Sequence, residues 1–326
     1  MNRPSKNADP FEIEFFEFLE QFQKRELITD LGGVQKNNLG NGQKIDASFE
    51  FHNNDLDYLF IVECKSRENP NIKGSVEDLK IRYDQVEKIY KPKYCPWHKV
   101  IPLLVLENNS DELNFQLNSL DLLNFLYYKL TRDSLDYYKN LLNSYGPEYT
   151  FPILLKELFE ILRDYGGQIE VPCLKLERWG KTLYTFQIKA TDLLKISYVY
   201  RARPATIKNE AYQRMLDPRR LKEIGELLRE KKFEVNFPNN IITNINSEHI
   251  NFTSEGNQPF GSLKIENKFG RIWVIDGQHR LYSFLHADNV KEDFELIVTA
   301  FADLTYSEQS KIFATINSSA KKVTPD

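Results

Sequence analysis

Two acidic residues and a lysine in the first part of the chain have the types and spacing of a metal-assisted hydrolytic site. Glu63 and Lys65 lie in the apolar run YLFIVECKS, and in a strand their side chains share one face because side chains alternate. Asp46 lies in the preceding run, IDASFEF. If the two runs form a hairpin that turns at Asn54–Asp55, Asp46 lies opposite Glu63, with the Cβ atoms roughly 5 Å apart. Carboxylates so close repel each other unless a cation lies between them.

This arrangement suits phosphodiester hydrolysis. Asp46 and Glu63 supply the hard oxygen ligands that Mg²⁺ (or Mn²⁺) prefers, and we expect them to hold such an ion. A bound ion activates water and neutralises charge on a phosphate, and Lys65 could position the water or stabilise the developing charge. The alternative is an exposed edge strand with a surface Glu–Lys pair, which has little energetic weight.

The elements around these residues follow from hydrophobic spacing. Residues 11–26 form a predicted helix, because phenylalanine and leucine recur on one face and Asp9–Pro10 resembles an N-cap followed by proline. The runs SVEDLKIRYDQVEKIY and KVIPLLVLEN are typical of a helix and a buried strand. Residues 112–165 are predicted to be mostly helical.

The order helix, Asp, Glu-x-Lys strand, helix resembles the PD-(D/E)XK, restriction-endonuclease-like family over about residues 9–110. The resemblance implies a mixed sheet flanked by helices and a metal-dependent nuclease. Many members carry a glutamine in the helix after the Glu-x-Lys strand, and Gln85 matches it, with an orienting role. A glutamate of the first helix often completes such sites, and Glu14 or Glu17 could serve here. A nuclease-like fold that only binds DNA is the alternative.

A second constellation, the stretch DGQHR, lies between the run RIWVI and the helical pattern RLYSFLHA. Gly277 lets the backbone turn sharply, and free N–H groups of the following helix favour an anion. Arg280 offers a fork for phosphate, His279 another donor, and Gln278 could contact a base or sugar edge. Asp276 could hold Arg280, coordinate Mg²⁺ or cap the helix. These residues predict a pocket for a nucleotide or a nucleic-acid backbone, and the alternative is an N-cap aspartate with incidental polar neighbours.

Residues 168–326 resemble DGQHR-domain proteins, relatives of DndB-type regulators of DNA modification, with a ParB/sulfiredoxin-like fold. The resemblance extends to the segments YQRMLDPRRLKEIGELLREKKFEVNFPNNIITNI and IFATINSSAKKV. It implies phosphate binding at the turn, with Arg214, Asn317 and Lys321 or Lys322 as further candidates. Arg214 could instead be a helix-surface residue.

The expected fold class is α/β (α+β), in three parts. Residues 1–110 form the nuclease-like domain, residues 111–167 a helical connector, and residues 168–326 the DGQHR domain, with a boundary in DYGGQIEVP (164–172). The resemblance implies further helices beyond the last residue, so we expect this domain to be incomplete or closed by something else.

Composition restricts the class of protein. The chain is 41% hydrophobic and 28% charged, with a net charge of −4, which excludes a strongly basic whole-protein footprint. Residues 201–232 nevertheless hold ten Lys and Arg against five Asp and Glu. This local excess of positive charge indicates either a basic face that binds a phosphate backbone or a solvated helix face. No run approaches the roughly 20 apolar residues of a membrane span, and the N-terminus is not typical of a signal peptide. We expect a cytoplasmic protein without membrane partners.

The leading hypothesis is a DNA-directed nuclease, or nuclease-like component, of a prokaryotic DNA modification or defence system. Its expected partner is DNA, and further candidate partners are a nucleotide, other proteins of such a system and further copies of the chain. A second hypothesis is a non-catalytic DNA-binding regulator. A third is a switch that hydrolyses a nucleoside triphosphate at the DGQHR pocket.

Overall fold

The protein consists of two compact units, residues 1–161 and 162–326. The computed structural model describes residues 9–33, 45–54, 56–66, 72–90, 98–108, 125–178, 180–199, 217–231, 237, 239–254, 256 and 258–319. Each unit contains a mixed β-sheet with helices around it. The predicted α+β class is therefore confirmed.

Unit 1 is built on a five-stranded sheet in the order β1-β2-β3-β4-β5. The first three strands are antiparallel, whereas β3, β4 and β5 are parallel to one another. Its elements are α1 (Pro10–Gln23), β1 (Thr29–Gly33), β2 (Ala47–Asn53), β3 (Leu56–Lys65), α2 (Ile72–Tyr90), β4 (His98–Leu106), β5 (Tyr128–Thr131), α3 (Arg132–Tyr145) and α4 (Pro147–Phe159).

The β2–β3 hairpin has the predicted register. Ala47 pairs with Val62 and, at the turn, Asn53 pairs with Leu56. Asn54 has a φ of 56°, the left-handed conformation that two-residue hairpin turns require and asparagine tolerates. The backbone N–H of Asp46, just before β2, donates to the carbonyl of Val62 at 3.1 Å. The ladder therefore carries Asp46 to the end of β3 that holds Glu63.

Both faces of β3 are covered. On one face Phe60 stacks on Phe49 with ring centroids 4.4 Å apart and contacts Phe159 of α4 at 4.8 Å. On the other face Leu59 and Ile61 belong to a buried cluster with apolar residues of α2 and β4. Because β3 is an interior strand and Glu63 is only 3% exposed, the edge-strand alternative for the Glu–Lys pair is wrong.

The segment 111–167 is mixed in its described part. Two helices, α3 and α4, confirm the helical prediction, but Tyr128–Thr131 forms strand β5, which pairs with β4. These elements belong to unit 1, and the units divide between Ile161 and Leu162. The stretch 164–172, expected to hold the boundary, lies within a long strand, Asp164–Arg178, which pairs with the strand Phe260–Lys268.

Unit 2 is built on an eight-stranded sheet in the order β10-β11-β6-β7-β13-β9-β12-β8. Most neighbours are antiparallel, but β13 is parallel to β9, and β12 is parallel to β8. Its elements are β6 (Asp164–Arg178), β7 (Lys181–Lys189), α5 (Ala190–Ile196), β8 (Ser197–Tyr198), α6 (Pro218–Lys231), β9 (Ile241–Ile245), β10 (Ile250–Ser254), β11 (Phe260–Lys268), β12 (Ile272–Asp276), α7 (Gln278–Tyr282), β13 (Glu295–Ala302) and α8 (Tyr306–Ser319).

The strand–turn–helix prediction for β12 and α7 is confirmed, and α7 continues into a short 3₁₀ turn, Ser283–His286. Helix α6 begins at Pro218, and the carboxylate of Asp217 accepts a hydrogen bond from the N–H of Arg219 at 3.0 Å. Sequence analysis did not predict the hairpin of β10 and β11. Among the helices of the described segments, none has the length and apolar character needed to cross a membrane.

Candidate functional sites

Glu63 lies at the centre of a charged group in unit 1. Its Oε1 accepts a hydrogen bond from Nζ of Lys65 at 2.5 Å, and its Oε2 accepts one from Nη1 of Arg82 on α2. The Glu63 side chain is 4% exposed, so both oxygens are paired inside the protein. The predicted shared face of Glu63 and Lys65 is therefore present, and Arg82 is a third member that sequence analysis missed.

Asp46 is tied to the same end of β3. Its Oδ2 accepts a hydrogen bond from the N–H of Cys64 at 2.7 Å. Burial raises the pKa of Asp46, whereas the Cys64 N–H and the charges of Lys65 and Arg82 act in the opposite direction. The two cations thus lie within electrostatic range of Asp46 as well as Glu63. Asp46, Glu63 and Lys65, the three residues on which the hydrolytic hypothesis depends, therefore lie at the same end of β3.

Glu12, in the first turn of α1, is a further acidic neighbour. Burial, followed by the charges of Asp46 and Asp9, raises the pKa of Glu12 to about 7. Asp9 caps α1 by accepting from the N–H of Phe11 at 2.8 Å and also accepts from the hydroxyl of Ser66 at 2.5 Å. These contacts hold the start of α1 beside the end of β3. We refer to Glu12, Asp46, Glu63, Lys65 and Arg82 as the carboxylate cluster.

Glu14 and Glu17, the two candidates on the first helix, lie elsewhere. Glu14 accepts hydrogen bonds from Arg132 at 2.7 Å and Lys139 at 2.5 Å, both on α3. Burial alone would raise the pKa of Glu14, but these hydrogen bonds lower it. Glu17 is exposed. The glutamate beside Asp46 is therefore Glu12, and helix periodicity carried no signal that would have selected it.

Gln85 lies on α2, three residues after Arg82. Its Oε1 is buried and has no hydrogen-bond partner within the described part of the chain. Helix α2 packs against β3 and β4, and Arg82 on this helix reaches Glu63. Gln85 is thus a buried acceptor on the helix that contacts the carboxylate cluster.

Asp46 and Glu63 are of the residue type that holds a hard divalent cation, although both oxygens of Glu63 already accept hydrogen bonds from Lys65 and Arg82. Mg²⁺ is usually held by one or two carboxylates, with water and substrate phosphate completing its coordination. Asp46 and Glu63 supply two such carboxylates. A cation would also reduce the repulsion between Asp46 and Glu12, which adds to burial in raising the pKa of Glu12. Among the residues that the structure describes, no group of three or more His, Cys, Asp or Glu is placed to hold a metal.

The DGQHR turn of unit 2 has a tightly constrained backbone. Gly277 has a φ of 92°, and a Cβ at this position would lie 2.7 Å from Cδ1 of Ile241 and 2.9 Å from Nη2 of Arg280. No other residue type fits without displacement. Helix α7 after the turn has only five residues, so the expected free N–H groups belong to a very short helix.

Arg280 is used inside the fold. Its Nη1 donates to the carbonyl of Asn239, and its Nη2 donates to the carbonyl of Asn240 at 3.2 Å and to Asp276 at 3.1 Å. Of the three roles considered for Asp276, holding Arg280 is the one observed. Arg280 therefore connects the turn to the segment that leads into β9.

The turn faces a cavity of about 770 Å³, here called the turn cavity. All five residues of the turn line it, together with Asp217, Arg220 and Ile224 at α6 and with Phe313 and Asn317 of α8. Asn317, a candidate from the family resemblance, thus lines the same cavity as the turn. Arg214, Lys321 and Lys322 lie outside the described residues.

The polar groups of the turn cavity differ in availability. Burial, followed by the charge of Arg220, lowers the pKa of His279, while Asp217 and Asp276 oppose the shift. His279 is therefore neutral at pH 7 and offers a hydrogen bond rather than a charge. The Oε1 of Gln278 is buried and lacks a hydrogen-bond partner among the described residues. Sequence analysis had not singled out Arg220, which lies on the basic segment 201–232.

Residues 171–325, slightly less than half of the chain, match the model of the DndB family, described as DNA-sulfur modification-associated. Comparison with curated proteins and with solved structures found no match. The C-terminal part is therefore DndB-like, which confirms the resemblance drawn from the DGQHR motif, and it connects the chain with DNA-modification systems. The family match does not include the carboxylate cluster.

Proposed function

We propose that the protein is a DNA-directed nuclease of a prokaryotic DNA modification or defence system. Unit 1 hydrolyses phosphodiester bonds with Mg²⁺ or Mn²⁺, and the DndB-like unit 2 binds a nucleotide or DNA phosphate. The observation that carries the proposal is that Asp46, Glu63 and Lys65 lie at one end of β3. There Asp46 accepts a hydrogen bond from the N–H of Cys64, and Lys65 donates one to Glu63.

In this proposal Asp46 and Glu63 hold the cation. When bound, the ion supplies an activated water and neutralises charge on the phosphate. Lys65, whose ammonium lies against Glu63, orients the water or stabilises the charge that develops on the phosphate. Gln85 orients the reacting groups through its Oε1, which has no hydrogen-bond partner among the described residues. Glu12, with its raised pKa, can take up a proton near pH 7.

A cleavage assay with the purified full chain tests this function. The substrates are plasmid DNA with and without sulfur modification, in the presence of Mg²⁺ or Mn²⁺ and with a chelator as the blank. We expect the wild-type protein to cut at least one substrate, and Lys65→Ala to lower the rate about 100-fold or more. Lys139→Ala is the matched control, because Lys139 pairs with Glu14 outside the carboxylate cluster.

The second candidate is a DNA-binding regulator that does not cut DNA. It is favoured by one observation, namely that both oxygens of Glu63 accept hydrogen bonds from cationic side chains, Lys65 and Arg82, so the protein itself neutralises this carboxylate. If the wild-type protein binds DNA but cuts neither substrate with either metal, the nuclease proposal fails and the regulator stands.

A further inference from the structure

Arg82 supplies a positive charge where sequence analysis expected a metal ion. Its guanidinium donates a hydrogen bond to Oε2 of Glu63. Burial lowers the pKa of Arg82, and the charge of Asp46 opposes that shift, so the guanidinium lies within electrostatic range of both carboxylates. Neighbouring carboxylates are stabilised by an opposite charge close to them. Arg82 on α2 therefore provides part of the neutralisation that the sequence alone assigned to a cation from solution.

Arg82 and a divalent cation would compete for the same oxygen. Oε1 of Glu63 accepts a hydrogen bond from Lys65, and Oε2 accepts one from Arg82. The side chains of Glu63 and Arg82 are only 4% and 13% exposed, so water screens little between them. A divalent ion bonded to Oε2 would lie beside the guanidinium, and like charges at that distance in buried surroundings repel strongly. Glu63 can therefore bind such an ion only if Arg82 moves away.

Arg82 is better placed to move than Lys65. Lys65 lies on β3 two residues after Glu63, and the strand keeps both side chains on one face. Arg82 reaches Glu63 from α2, and a change of rotamer in its long side chain withdraws the guanidinium without displacing the helix or the strand. The planar guanidinium matches a phosphate group with two parallel hydrogen bonds. A DNA phosphate beside Glu63 thus offers Arg82 another partner.

We propose that Arg82 changes partner between the free and the substrate-bound protein. It neutralises Glu63 in the metal-free protein, leaves Glu63 when a divalent cation binds there, and then binds a phosphate of the DNA substrate. This role of Arg82 rests on the proposed nuclease function, because it requires a cation at Asp46 and Glu63. It also makes metal and DNA strengthen each other's binding, since both favour the released position of Arg82.

Calorimetric titration of the full chain with Mn²⁺ tests the competition. We expect Arg82→Gln to bind Mn²⁺ at least about tenfold more tightly than the wild-type protein, because the ion no longer has to break a charged hydrogen bond. Arg132→Gln is the matched control, since Arg132 also pairs with a glutamate of unit 1, Glu14, but outside the carboxylate cluster. Its affinity for Mn²⁺ should stay within about twofold of wild type. Circular dichroism establishes that the variants compared are folded.

Binding of a short DNA duplex, measured with and without Ca²⁺, tests the second partner. Ca²⁺ is a hard cation that binds oxygen ligands as Mg²⁺ does, and a gel run in parallel shows whether the duplex stays intact. Arg82→Lys keeps the charge but loses the planar fork. We expect it to weaken DNA binding about tenfold with Ca²⁺ and to leave it unchanged without Ca²⁺. A merely structural role would change both affinities equally, and this variant also serves if Arg82→Gln does not fold.

The exchange of partners is overturned if Arg82→Gln binds Mn²⁺ no more tightly than wild type. It is also overturned if Arg82→Lys weakens DNA binding equally with and without Ca²⁺. In either case, cleavage by the wild-type protein leaves the nuclease function standing. If the wild-type protein and Arg82→Gln both bind no Mn²⁺ and the wild type cuts no DNA, the nuclease function fails and the role of Arg82 fails with it.

Discussion

The carboxylate cluster and the turn cavity both contain an arginine–carboxylate pair at the end of a strand, but the pairs differ in what they leave available. In unit 1, Arg82 of α2 joins Glu63 of β3, and the two side chains are only 13% and 4% exposed. In unit 2, Arg280 joins Asp276 within one turn of chain, and a cavity remains beside them. The first pair is enclosed within unit 1, whereas the second pair lines a cavity of about 770 Å³.

This difference shows that a charged residue in a recognisable motif can be used inside the fold rather than for ligand contact. We expect ligand contacts at groups that have no partner among the described residues, or whose charged form is disfavoured by burial. In unit 1 these are Asp46 and Glu12, whose carboxyl pKa values are raised. In unit 2 they are Arg220 and the Oε1 of Gln278.

The largest effect is expected from breaking the buried pair of unit 1. Arg82→Gln leaves Glu63 with Lys65 alone in a buried position, and we expect the free energy of unfolding to fall by about 3 kcal/mol, measured by chemical denaturation. Arg25→Gln, which removes the exposed pair with Glu148, should change it by less than about 0.5 kcal/mol.

Repeating the denaturation of Arg82→Gln with Mg²⁺ tests whether a metal ion binds beside Glu63. If Asp46 and Glu63 hold a cation, Mg²⁺ should restore part of the lost stability in Arg82→Gln, because the ion replaces the missing positive charge. Equal stability of Arg82→Gln with and without Mg²⁺ or Mn²⁺ would contradict a metal site and support the DNA-binding regulator.

A smaller effect is expected at the turn of unit 2. Gly277→Ala places a Cβ 2.7 Å from Cδ1 of Ile241 at a φ of 92°, and we expect a loss of about 2–3 kcal/mol from backbone strain and overpacking. Gly256 also has a positive φ, of 68°, but a Cβ there meets nothing within 4 Å, so Gly256→Ala should cost only about 1 kcal/mol. Similar losses in both variants would show that the turn is not tightly packed.

The smallest effect is a pH dependence at Glu12. In the folded protein the pKa of Glu12 is raised from the ordinary 4.5 to about 7. Protonated Glu12 therefore stabilises the fold fully below about pH 4.5, and this contribution to the free energy of unfolding is lost as pH rises through 7. Glu12→Gln should therefore raise the free energy of unfolding by about 1 kcal/mol near pH 8 and change it little near pH 4. The measurement is denaturation at both pH values.

Glu17→Gln is the matched control for this prediction, since Glu17 is an exposed residue of the same helix. It should have the same small effect at both pH values. An equal effect of Glu12→Gln at both pH values would contradict the titration of Glu12 between them.

Much of the local structure was predictable because it depends on neighbouring residues. The register of β2 and β3 followed from a two-residue turn at Asn54–Asp55, and alternation then placed Glu63 and Lys65 on one face. Helices α1 and α2 followed from apolar spacing. Strand β5 was missed because four residues are too few for a periodic signal, and the start of β6 because its glycines resemble a loop.

The amino-acid sequence by itself determined the Asp46–Glu63–Lys65 grouping and the strand–turn–helix at Gly277, because both arise from residues close along the chain or joined by one hairpin. Only the tertiary structure decided that Glu12 rather than Glu14 lies beside Asp46, that Arg82 pairs with Glu63, and that Arg220 lines the turn cavity. These side chains come from helices whose positions depend on which apolar faces pack together, and that choice is made by the whole core rather than by any local pattern.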